Sequence, residues 1–201
     1  ITQTKDDEAT TLTPMETSSS IEEDTAVVAS PIDEYFTTQV QVCLTCDSCK
    51  YTRRQVEKYL HLSIDPDDDG LRRFFASQER EIKCEKCFCE TAIQSFSILS
   101  LPKYLLLHFK RFIVDVSPDY SAITYRKDRS AVILEETLFF GDETFQLQSI
   151  VNHIGSSASC GHYTADVKDD AWTHFNDEYV SKLDSFPDCQ HTAYLVLYER
   201  Q

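Results

Sequence analysis

No apolar run in this 201-residue chain approaches the roughly 20 residues that a membrane-spanning helix needs, so no membrane partner is expected. Nor is a secretory leader expected. Residues 1–20 are polar and acidic, with neither a basic start nor an apolar stretch. Basic residues are scarce: 19 Lys and Arg stand against 34 Asp and Glu, a formal net charge of −15. That balance speaks against a nucleic-acid partner, whose phosphates need Lys and Arg, and suits a partner with a basic face. The chain opens on Ile1 rather than Met, which leads us to expect a piece of something longer.

What remains is ordinary for a soluble domain, 41% apolar and 26% charged, and long enough for one well-buried core. Residues 1–36 are rich in Thr, Ser, Asp and Glu, with Lys5 their one basic residue. They lack a periodic apolar face and read as a disordered acidic arm or insertion. Order is expected from 37 to 201. "FTTQVQVCLTC" suggests a strand through Phe36, Val40 and Val42, and Val56, Leu60, Leu62 and Ile64 continue with an intermittent period of two. "DPDDDG" breaks that run, and Leu71, Phe74, Phe75 and Gln78 fall at the spacing of a short helix. "TAIQSFSIL" alternates, whereas "YLLLHFKRFIV" is nearly continuous and predicts a central strand buried on both faces. "FQLQSIVNHI" and "CGHYTADVK" read as two further strands, and "AWTHFND" and "TAYLVLYER" as a closing pair. The fold class expected is α+β and strand-rich, with few helices.

Two Cys-x-x-Cys knuckles, "CDSC" (Cys46, Cys49) and "CEKC" (Cys84, Cys87), stand 34 residues apart. Each turns two sulfurs toward one point, and two such knuckles at the tips of neighbouring strand pairs make a tetrahedral thiolate site for a structural Zn2+. Cys43 and Cys89 flank them, and "CLTC" is itself such a knuckle. Cys46 and Cys49 are preferred because the strand after them then starts at a natural distance. Eight cysteines without a leader predict an intracellular chain, in cytoplasm, nucleus or both.

His162 stands behind Gly161 at one strand edge, and Asn176 follows Phe175 fourteen positions on. A general base needs its imidazole held in one tautomer by a second group, and an amide oxygen can do this. Asp177 stands beside Asn176 as a polar helper, and Gly161 would let another backbone approach closely, as a cleft for a peptide tail requires. The remaining histidines, His61, His108, His153, His174 and His191, are read as packing or surface residues.

From Cys46 to Arg200 these pieces in order, "CDSC…LHLSI", "CEKC…FSILSLPKYLLLHFKRF", "GHYTADVK", "WTHFND" and "TAYLVLYER", resemble the ubiquitin-specific protease family of papain-like cysteine deubiquitinases. The resemblance implies a hand-like fold, here without its N-terminal thumb. Zinc-ribbon-like fingers would span about 40–100 and a palm about 101–201. His162 would be the general base, Asn176 its orienter with Asp177 the usual acidic follower, and Gly161 and Tyr163 would border the channel for ubiquitin's C-terminal tail. Ubiquitin and ubiquitinated proteins would be the partners. The family's nucleophilic cysteine sits in an N-terminal box followed by a helix, and no such stretch occurs here. The nucleophile is therefore expected upstream, leaving this chain alone inactive. Cys160, two residues before His162, is a poorly placed rival. A non-catalytic ubiquitin-binding or scaffold module of the same fold is the alternative.

Overall fold

A computed structural model describes residues 30–157 and 160–201. In chain order it contains helix α1 (Pro31–Phe36), strands β1 (Thr38–Cys46), β2 (Thr52–Tyr59) and β3 (Leu62–Ile64), then helix α2 (Gly70–Phe74). Strands β4 (Gln78–Glu81), β5 (Thr91–Ser100), β6 (Tyr104–Phe109), β7 (Phe112–Val116) and β8 (Ile123–Lys127) follow. The last six are β9 (Thr137–Phe140), β10 (Glu143–Ser157), β11 (Cys160–Lys168), β12 (Trp172–Asn176), β13 (Tyr179–Lys182) and β14 (Ala193–Arg200). The strand-rich class expected from the sequence is what the chain adopts.

Three sheets result. A four-stranded sheet runs β2-β1-β5-β4 and carries both Cys-x-x-Cys knuckles at one end. An eight-stranded sheet runs β13-β12-β11-β10-β14-β6-β3, with β9 also paired to β10, and β7 with β8 makes a separate hairpin. The main core lies on the large sheet, where Leu105, Leu107, Phe145, Leu147, Ile150 and Val196 are buried together. In β1 the alternate residues Thr38, Val40 and Val42 are buried, the period-two pattern of a strand with one covered face.

Several expectations need correction. The acidic arm was expected to run to residue 36, but Pro31–Phe36 is a helix. Ser30 caps it through a reciprocal capping box with Asp33, Pro31 suits the first turn, and the rings of Tyr35 and Phe36 pack on Tyr104. The strand therefore starts at Thr38, not Phe36. The rest of the arm, 1–29, lies outside the described residues. The run from Val56 to Ile64 is two strands in two sheets: Val56 and Leu60 are exposed, whereas Leu62 and Ile64 join the core through parallel pairing of β3 with β6. Thus β3 and α2, inside the stretch expected to form the fingers, pack with the large sheet instead. The helix expected through Gln78 ends at Phe74, because Gln78 already pairs with Gln94 in the four-stranded sheet.

"YLLLHFKRFIV" is neither one strand nor buried on both faces. In β6 only Leu105, Leu107 and Phe109 are fully buried, and the chain turns at Lys110–Arg111 before β7. Arg111 forces the break. It is 0% exposed and donates from its guanidinium to the carbonyls of Ala193, Asp128, Ser130 and Gln190. A buried cation is tolerated only when its donors are largely met, and here four carbonyls take four of the five N–H groups. The expected closing pair also separates: β12 pairs with β11 and β13, while β14 inserts between β10 and β6. Among the described residues no helix is long and apolar enough to cross a membrane.

Candidate active site and metal centre

Three adjacent strands, β10, β11 and β12, bring His162 and Asn176 together. Ile154 pairs with His162, and the β10–β11 register then shifts before Ser157 meets Cys160. The shift passes through Gly155, which has a φ of +152° and leaves only 2.7 Å between a would-be Cβ and the Cys160 carbonyl oxygen. A side chain could not occupy that bend. Asn176 ends β12, and Asp177 follows in the left-handed region with a φ of 51°, turning the chain into β13. Across this corner His162 Nε2 and Asn176 Oδ1 are 2.6 Å apart. An amide oxygen only accepts, so Nε2 carries the proton and Nδ1 keeps its lone pair as the basic nitrogen. Both residues are half-buried, dry enough to hold one geometry and open enough to meet a substrate.

Asp177 is not part of that contact. It is exposed at the turn, and among the described residues its side chain makes no hydrogen bond. Gly161 is exposed, yet its missing side chain leaves room for something other than a backbone: a Cβ there would sit 2.0 Å from His153 Nε2. His153 is 1% exposed and its ring meets Phe112 and Tyr163, each at 5.0 Å. Burial, with Lys127 nearby, holds its pKa below the usual histidine value, so it is a neutral ring. Its Nδ1 has no hydrogen-bond partner among the described residues. Tyr163 is 49% exposed and leans on His153 and Tyr194, forming an aromatic shelf beside His162. Cys160 is exposed, and no hydrogen bond among the described residues joins it to His162.

A second polar cluster on the same strands was missed. Asp166 is 3% exposed and accepts hydrogen bonds from Asn152 Nδ2 and His174 Nδ1, each at 2.6 Å. Thr192 Oγ1 donates to Asn152 Oδ1 at 3.0 Å. The available signal was the alternation itself: His162, Thr164 and Asp166, then His174 and Asn176, place polar residues on one strand face.

At the tip of the four-stranded sheet the sulfurs of Cys46, Cys49, Cys84 and Cys87 all lie within 4.8 Å of one another. Cys46 and Cys87 are 3.5 Å apart and Cys49 and Cys84 3.7 Å. A tetrahedron with metal–sulfur bonds of about 2.3 Å has edges of about 3.8 Å, so the donor set fits a zinc-sized ion. Both knuckles share one backbone turn. Lys50 N donates to Cys46 O and Phe88 N to Cys84 O, and Lys50 and Phe88 each have a φ of 60°. Cys43 and Cys89 stand outside it, and Cys89 is engaged with Thr91. Four thiols in one space do not ionise alike. The backbone amides of Cys87 and Lys86 pull Cys84 down to about 6. Cys46 is pushed up to about 12 despite the Cys49 amide, by burial and the Cys87 side chain. A cation would resolve that conflict by accepting all four as thiolates.

An imidazole–amide pair on a large, mostly antiparallel sheet, with a smaller sheet tipped by four convergent thiols, fits the strand-rich hand that the resemblance to ubiquitin-specific proteases implies. The family profile described as ubiquitin carboxyl-terminal hydrolase matches residues 8–198, and the chain belongs to that family as a ubiquitin-specific protease member. Ubiquitin carboxyl-terminal hydrolase nonstop of Drosophila melanogaster is 25% identical over 84% of this chain and 39% of its own length. Ubiquitin carboxyl-terminal hydrolase 12 of Salmo salar is 33% identical over 71% of this chain and 42% of its own. The chain thus spans about two-fifths of the length of these relatives. Among solved structures, a SAGA DUB module holding Ubp8 bound to monoubiquitin superposes with a TM-score of 0.73 at 24% identity, covering 85% of this chain and 42% of the other. A yeast SAGA DUB module superposes with a TM-score of 0.74 at 24% identity, with the same coverage.

Proposed function

We propose that this chain supplies the base side of a deubiquitinase that cleaves the bond after ubiquitin's C-terminal glycine. The observation that carries the reading is the 2.6 Å contact of His162 Nε2 with Asn176 Oδ1, which leaves Nδ1 as the proton acceptor. A cysteine thiol, contributed by residues N-terminal to this chain, gives its proton to Nδ1. Its sulfur attacks the glycine carbonyl carbon. His162 returns the proton to the departing amine as the C–N bond breaks, leaving a thioester. Water, deprotonated by the same imidazole, then breaks the carbon–sulfur bond and releases ubiquitin and the thiol. Asn176 holds the ring with Asp177 beside it as a polar helper, while Gly161 and Tyr163 border the channel for the ubiquitin tail. Relatives named as ubiquitin carboxyl-terminal hydrolases and a fold neighbour solved with monoubiquitin support ubiquitin and its conjugates as partners.

Cys46, Cys49, Cys84 and Cys87 would hold a structural Zn2+. With four protein ligands no coordination position stays open for a substrate, so the ion would fix the fingers rather than react. None of the eight cysteines is in a disulfide, which suits work in the reducing cytoplasm or nucleus.

The test is intact mass after incubation with ubiquitin carrying a C-terminal electrophile, for this chain and for the longer product of its reading frame. The reading expects an adduct on the longer product alone. An adduct on this chain would make one of its own cysteines, Cys160 first, the nucleophile. Ubiquitin binding without any adduct would favour the scaffold alternative.

A further inference from the structure

We infer that Asp166 and His174, with Asn152 behind them, are positioning residues that hold the His162–Asn176 pair in line. His174 lies directly opposite Asp166 in the β11–β12 register, and its ring nitrogen contacts the Asp166 carboxylate at 2.6 Å. The same carboxylate accepts from Asn152 of β10, and Asn152 accepts from Thr192 just before β14. One buried carboxylate thus ties three neighbouring strands and the entry to a fourth.

The placement of this tie relative to the pair gives it a role. The last β11–β12 register pair is Ala165 with Phe175, so His162 and Asn176 stand beyond the paired region. On that face only Thr164 lies between the tie and the pair along β11, and its buried hydroxyl has no partner among the described residues. No side-chain relay therefore runs from Asp166 to His162. The alignment passes through the backbones of β11 and β12, which the Asp166–His174 contact fixes one register pair inside the end. A buried carboxylate is costly unless each lone pair is met, and an apolar pair at these positions would serve stability as well. What the polar tie adds is direction: its two charge-assisted contacts tolerate little sliding of one strand on the other.

The kinetic part of this inference rests on the proposed deubiquitinase activity; the geometric part does not. The experiment therefore uses two readouts on the longer product of the reading frame: hydrolysis of a ubiquitin C-terminal amide, and the 15N resonances of the His162 ring. His174→Phe removes the donor, and His174→Gln returns an amide donor. We expect His174→Phe to lower kcat about 10- to 100-fold with KM changed by less than about 2-fold. We expect the His162 ring to lose its single Nε2–H tautomer in the same variant. His174→Gln should recover kcat to within about 3-fold of the parent and restore the tautomer. An unchanged kcat and tautomer in His174→Phe would overturn the inference. So would a loss of kcat with the tautomer intact and no rescue by Gln, which marks a merely structural defect. Should the parent show no hydrolysis, the deubiquitinase reading fails, and the tautomer alone decides whether Asp166 and His174 position the ring.

Discussion

His162 Nε2 lies 2.6 Å from Asn176 Oδ1 although both residues stand past the last register pair of β11 and β12. One side-chain contact closes a corner that the backbone ladder leaves open. Removing it should free the ring without unfolding the sheet. Asn176→Ala is expected to lower kcat for ubiquitin-tail hydrolysis by about 10- to 100-fold, and Asn176→Asp, which keeps an acceptor, by less. Thermal midpoints of both variants should stay close to the parent's. A large drop in midpoint with proportionate loss of activity would show that the contact serves the fold instead.

The thiol cluster makes a prediction about ligand identity. The protein should carry one equivalent of zinc by elemental analysis and keep it in Cys43→Ser and Cys89→Ser. Cys46→Ser and Cys84→Ser should lose it. Chelation should disorder the four-stranded sheet, seen as lost amide protection in β1 and β5, while strands of the large sheet stay protected. Retention of zinc by Cys84→Ser together with its loss from Cys89→Ser would move the site to the alternative set.

Gly161 and His153 are predicted to be coupled. A Cβ at 161 would lie 2.0 Å from His153 Nε2, and that ring is enclosed by Phe112 and Tyr163. Gly161→Ala should therefore destabilise by about 1–3 kcal/mol. In a His153→Ala background the same change should cost less, giving a favourable coupling of about 0.5–3 kcal/mol in a denaturation cycle. Strict additivity would mean that the ring moves aside freely.

Stability should fall on mild acidification. Burial, with Lys127 beside His153 and His61 and Lys110 beside His108, holds both histidines below their ordinary value of 6.5. The unfolded chain then takes up protons first. The contribution is complete above pH 6.5 and is lost as the pH falls through the window below that value. Melting midpoints measured from pH 7.5 down to pH 5 should decline, and His153→Leu should flatten part of that slope. An unaltered slope in this variant would remove His153 from the account.

The residues of the corner and of the thiol cluster were legible because each stands in a short pattern whose chemistry needs few neighbours: "GHY" at one strand start and "FND" at a strand end for the corner, and two Cys-x-x-Cys turns for the cluster. Arg111 was not legible. Inside "LLLHFKRFIV" it reads as an interruption of an apolar run, and nothing in composition tells that four carbonyls from two loops and the start of β14 converge on its guanidinium. The reason for Gly161 was also hidden. Its partner is the imidazole of His153, which stands opposite Tyr163 in the β10–β11 ladder and so lies diagonally from residue 161, a cross-strand contact that no local pattern reports. His174 was taken as a packing or surface residue because a lone histidine on a strand gives no hint of a carboxylate across the ladder. In the fold, α1 was masked by the acidic composition of the arm, although Ser30, Pro31 and Asp33 together spell a helix start. The central place of β14 follows from a long-range crossover that no local pattern reports.

The most direct measurement of the central claim is the hydrolysis rate of a ubiquitin C-terminal amide by the longer product of this reading frame, with and without His162→Ala. If His162 is the base, the substitution should lower kcat by about 1,000-fold or more while ubiquitin binding persists. Hydrolysis within a few-fold of the parent would contradict the account and place the proton transfer on another residue.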